Sequence, residues 1–102
     1  MRPLASTAGR PAHEDEQSLI QTAQRGGLEA FNALILRYQD SVYGVVYRIM
    51  GEPASSEDVT QSAFITAYRH LNSFRGGNFK SWLLRIATNQ SYDELRRLKR
   101  RP

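Results

Sequence analysis

Nine apolar residues between positions 28 and 50 recur at helical spacing, and this pattern limits the possible folds more than any other feature of the chain. At 100° per residue, Leu28, Phe31, Leu34, Ile35, Tyr38, Val42, Val45, Val46 and Ile49 fall within an arc of about 120°. Leu36, Tyr43 and Tyr47 form a second, narrower stripe beside it. Two apolar sides predict a helix packed between neighbours, as in a bundle. Gly51 and Pro53 end it.

The flanking segments repeat the period, and none reads convincingly as a strand. A short first helix is predicted from Glu14 to Arg25, with acids at its start and Gly26-Gly27 at its end. A third starts at Ser55 or Ser56, with Ser55 and Asp58 at capping-box spacing, and runs to about Leu71. Its core face is Val59, Ala63, Phe64, Ala67 and Leu71. A fourth runs from about Phe79 to Arg100, with Phe79, Leu83, Ile86 and Ala87 giving an apolar stripe for two turns only. Past Gln90 the same face carries Asp93, Glu94 and Arg97, so the C-terminal half is expected to leave the core. The expected fold is all-α, a compact bundle of four helices with no sheet. Residues 1–13 read as a disordered N-terminal extension, and 14–101 as one domain.

The charge is unevenly placed. Residues 75–101 hold eight basic side chains against two acidic ones, and residues 1–74 hold six against eight. The basic excess therefore sits in the last quarter of the chain and calls for a polyanionic partner. Charge alone does not separate nucleic acid from an acidic protein or membrane. The composition excludes other classes. No apolar run reaches the roughly 20 residues of a membrane span, and no cysteine is present for a disulfide or thiolate metal site. The two histidines, His13 and His70, stand apart, so neither a metal site nor a cofactor is expected. No nucleophile–base set occurs. Asp93 and Glu94 point about 100° apart on a helix, and Asp93 is expected to pair with Arg96 or Arg97. Nothing here supports an enzyme.

Two surfaces stand out. Between the third and fourth helices, Phe74, Arg75, Gly76, Gly77 and Asn78 form a glycine-bearing loop with an aromatic on either side, the second being Phe79. Such a loop can hold an unstacked base while the helix beside it lies on phosphates. At least one phenylalanine should be core, Phe79 being favoured. Along the fourth helix Arg85, Asn89, Tyr92, Arg96 and Lys99 share an arc of about 80°. Cations there would meet phosphates, asparagine a base edge and tyrosine a base face. A plain solvated basic helix end fits the same spacing. On the third helix Asp58, Gln61, Ile65 and Arg69 lie away from the core face, suiting a protein interface with a small apolar centre. A helix-favoured acid and one stray aliphatic fit as well.

These residues resemble a known family. Glu57-Asp58-Val59-Thr60-Gln61-Ser62-Ala63-Phe64, then Phe74-Arg75-Gly76, then Trp82-Leu83 through Ile86-Ala87, Asn89, Asp93 and Arg96 are similar to the promoter-melting domain (region 2) of the extracytoplasmic-function (ECF) sigma factors of bacterial RNA polymerase. Ala30-Phe31 and Arg37-Tyr38 match its early helices, and the likeness covers roughly 15–101. It implies that Asp58, Gln61, Ser62, Ile65 and Arg69 dock on the β′ clamp helices of core polymerase. It implies that the loop Phe74–Asn78 accepts a base flipped from the non-template strand of the promoter −10 element. Asn89 would stand at the mouth of that pocket, with Arg85, Arg96 and Lys80 near the strand and Tyr92 beside them. The implied setting is a bacterial cytoplasm, with an anti-sigma factor as a further partner and a monomer as the expected state.

The sequence departs from the family in two places. Gly26-Gly27 replaces the commoner Gly plus acid. The helix-turn-helix domain that reads the −35 element is missing, which fits a dissected domain or a naturally short relative, dissection being favoured. The rival reading is a helical protein-interaction module whose basic tail binds nucleic acid without specificity.

Overall fold

The computed structural model describes residues 16–100, and these form four α-helices and one 3₁₀ turn, with no strand among them. Helix α1 spans Glu16–Gln24, α2 Leu28–Met50, α3 Pro53–Arg69 and α4 Phe79–Lys99; the 3₁₀ turn is Leu71–Ser73. The expected N-terminal extension, the expected helix start at Glu14 and Arg101-Pro102 lie outside the described residues. The chain divides into two compact units at the Arg37–Tyr38 junction, inside α2.

In the first unit, Ile20 and Ala23 of α1 and Ala30, Phe31 and Leu34 of α2 are buried. The Arg37 guanidinium donates to the Glu16 carboxylate at 2.8 Å and fixes the start of α1 beside α2. Leu28, assigned to the core stripe by its spacing, is instead 58% exposed. It is the first residue of its helix, where a favourable angle around the axis does not ensure a neighbour.

The second unit is dominated by the packing of α3 on α4. Ala63 and Ala67 on α3 and Ala87 on α4 have no exposed surface. Small residues at such a contact let two helices approach closely, since side-chain size sets the interaxial distance. The buried hydroxyls of Ser56 and Ser91 donate to the carbonyls of Glu52 and Ala87, one turn back, at 2.7 and 2.8 Å. Gln90 of α4 donates to Thr66 of α3 at 2.6 Å. Val42, Val46, Val59, Phe64, Leu71 and Leu83 are buried as well.

The structure corrects two further expectations. Helix α3 is capped by Glu52, not by Ser55 with Asp58. The Glu52 carboxylate accepts from the Ala54 and Ser55 N–H groups at 3.1 and 2.8 Å, with Pro53 in the first turn. A proline there needs no N–H partner, so the helix begins at Pro53, two or three residues earlier than the serines suggest. The second stripe on α2 is not a buried face. Leu36 is 70% exposed, Tyr47 is exposed, and Tyr43 stacks on Tyr47 at 6.0 Å. By contrast, Ser91 is the last buried residue of α4, as the loss of its apolar stripe predicts.

Candidate nucleic-acid interface

The connection from α3 to α4 is held by its aromatic residues. Phe74 stands edge-on to Phe79 with centroids 5.4 Å apart and planes at 87°. Trp82 closes a triangle with both, at 5.4 and 5.5 Å, and Tyr38 meets Phe79 at 5.9 Å. Ring pairs in such tilted and edge-on arrangements contribute about 0.5–1.5 kcal/mol each beyond their buried area. Both phenylalanines are buried. This corrects the placement of Phe74 among the presented residues: its ring anchors the loop and is not offered to solvent.

Between the anchors, Arg75, Gly76, Gly77 and Asn78 are all exposed. Gly76 and Gly77 have φ of 102° and 88°, left-handed values that strain any residue with a Cβ. Two successive residues of this kind fold the chain back sharply enough for both rings to reach one cluster. Asn78 then caps α4, its Oδ1 accepting from the Ser81 N–H at 2.8 Å. Its acceptor is thus committed to the helix, leaving its amide N–H groups to face outward. Spacing places Tyr38 in the core stripe of α2, whereas Trp82 is the anchor that the α4 stripe leaves out. The three-residue step from Phe79 to Trp82 was the available signal, since such pairs meet on a helix.

Arg85, Asn89, Tyr92, Arg96 and Lys99 are exposed on the side of α4 opposite Leu83, Ala87 and Ser91. Lys80 is exposed as well, but lies about 140° around the helix from Arg85. Arg96 pairs with Asp93. Arg97 forms a two-pronged pair with Glu94 at 2.6 and 2.9 Å, which favours its charged form further. The arginines and lysine of the last turn also oppose the helix dipole favourably.

Asp58, Gln61, Ser62, Ile65 and Arg69 form one exposed face of α3, with Ile65 53% exposed. Gln39, Asp40 and Tyr43 of α2 share a groove with Glu57 and Gln61 beside that face. Their spacing had placed only Tyr43 in an apolar stripe, so the sequence carried no sign of this flank.

A helical pair joined by an aromatic-stapled loop and bearing a basic exposed stripe suits a polyanionic partner. Residues 34–101 match the family described as sigma-70 region 2, and the chain belongs to that family. The RNA polymerase sigma-H factor of Pseudomonas aeruginosa is 42% identical over 90 residues, covering 87% of this chain and 47% of that protein. The ECF RNA polymerase sigma-E factor of Escherichia coli K12 is 44% identical over 88 residues, covering 85% and 46%. The chain thus spans about half the length of the curated relatives it matches. Among solved structures, the NMR structure of an engineered region 2 of sigmaE in complex with GTAAAA is similar at a TM-score of 0.80. It is 41% identical, covering 83% of this chain and 90% of that one.

Proposed function

We propose that this chain acts as region 2 of an ECF sigma factor, docking on core RNA polymerase and helping to open the promoter −10 element by holding an unpaired non-template strand. The observation that carries this reading is the stapled loop lying at the head of an exposed Arg85/Asn89/Tyr92/Arg96/Lys99 stripe, in a fold whose sigmaE relative is in complex with GTAAAA. Anchoring rings hold the loop in shape before any strand arrives, so little conformational freedom is lost on binding. Arg75, Lys80, Arg85, Arg96 and Lys99 would lie along the sugar–phosphate track, and Tyr92 would stack. Asn78 and Asn89 would meet the edge of an extruded base. Opening in this manner needs no catalytic group, because contacts to the flipped base offset an unstacking cost of a few kcal/mol.

The α3 face of Asp58, Gln61, Ser62, Ile65 and Arg69 is the proposed contact with the β′ clamp helices. An anti-sigma factor would compete there, and the domain would work as a cytoplasmic monomer. No described helix is long and apolar enough to cross a membrane. The test is a panel of single-stranded oligonucleotides varied one base at a time, read by fluorescence anisotropy. Asn89→Ala should change base preference without weakening polymerase capture, and Gln61→Ala should do the reverse. Equal affinity across the panel, sensitive to salt alone, would overturn the claim of base readout in favour of a non-specific basic tail.

A further inference from the structure

Two arginines near the end of α4 each have an acid three residues before them, and the two pairs sit differently. Glu94 is half-buried and, with Arg97, borders the groove against Val59 and Ser62 of α3. Asp93 reaches the same groove, but it and Arg96 are the more exposed pair, with side chains 67% and 63% exposed. Arg96 belongs to the proposed strand-binding stripe, whereas Arg97 lies about 100° away from it around the helix. Lys80, Arg85, Lys99 and Arg100 make no ion pair with any described residue, so Arg96 is the one member of the stripe already holding an anion.

We propose that Asp93 is a built-in competitor that acts through Arg96, standing in for a phosphate and lowering the affinity of the stripe for any strand. This rests on the nucleic-acid reading above. A carboxylate and a phosphate oxygen compete for the same guanidinium donors. Any strand whose phosphate takes Arg96 must first displace Asp93. A strand that also places a base at the loop has a second source of binding energy but meets the same competition, so both strands are weakened by the same factor. An exposed pair of this kind shifts an equilibrium by up to about fivefold. That is enough to weaken the hold on a strand and too little to abolish binding.

The experiment uses the full chain with two fluorescent single strands of equal length, one containing GTAAAA and one of thymidine alone, titrated at several salt concentrations. Wild type, Asp93→Asn, Arg96→Gln and the double variant are compared, with Glu94→Gln as a control for the groove-side pair. Asp93→Asn is expected to tighten the thymidine strand about two- to fivefold. It should also steepen the salt dependence of log affinity by about 0.7, the value for one additional phosphate contact to a single strand. The GTAAAA strand should tighten by the same factor, so the ratio of affinities for the two strands should hold, and Glu94→Gln should leave both affinities unchanged. In the Arg96→Gln background the gain should disappear. A gain that persists without Arg96 would mean a general charge effect and would overturn the proposal, as would no gain at all. Wild type that binds neither strand at low salt would instead sink the nucleic-acid reading itself, and this proposal with it.

Discussion

The two connections flanking α3 solve the same geometric problem with opposite chemistry. Between α2 and α3, Gly51 turns the chain and Glu52 spends its carboxylate on Ala54 N–H, Ser55 N–H and the Ser55 hydroxyl. Between α3 and α4, apolar rings hold the ends of the loop, and the hydrogen-bonding groups of Arg75, and half of those of Asn78, are left over. A connection closed by polar groups uses up what it could have shown a ligand. One closed by burying aromatic surface keeps its polar groups for a partner. That contrast explains how one loop can be both well held and available.

Removing the rings should break the contrast most severely. Phe79→Ala is expected to destabilise the domain by about 3–5 kcal/mol, and Phe74→Ala by somewhat less because it is nearer the surface. Thermal or urea unfolding checks both, and a loss below about 1 kcal/mol for Phe79→Ala would mean that the ring cluster does not hold the loop. Gly76→Ala comes next. Open space surrounds the position where its Cβ would sit, so the cost is one of backbone conformation alone, about 1–2 kcal/mol. Strand affinity should fall further than stability does, since the turn presents Arg75 and Asn78. If affinity is unchanged, the loop is only a connector.

The smallest effect belongs to the polar connection and depends on pH. Hydrogen bonds from the Ser55 side chain and from the Ser55 and Ala54 backbone hold the Glu52 carboxyl below its ordinary value of 4.5. A carboxyl with a lowered folded pKa contributes stability that is full above its unfolded value and is lost as pH falls through its folded value. Glu52→Gln should therefore lower the melting temperature modestly at pH 7, and the gap from wild type should close as pH drops below 4.5. A gap that stays constant down to pH 3 would show that the carboxylate's charge is irrelevant to the cap.

Much of this molecule was legible from spacing. The limits of α2 at Leu28 and Met50, the core face of α3, and the exposed stripe of α4 follow from a 3.6-residue period and glycine punctuation. Those are local properties, because the backbone fixes each side chain's direction about its own axis. Direction is not depth, and here the tertiary structure decided. Leu36 and Tyr47 share a stripe yet stay exposed, while Phe74, outside any helix, is buried because Phe79 and Trp82 come to meet it. Which acid holds which arginine was likewise open in the sequence. Asp93 could reach Arg96 or Arg97, and Glu94, turned toward the α3 groove, took Arg97. Periodicity orients each helix surface, but only packing against the rest of the chain determines which parts of that surface remain for a partner.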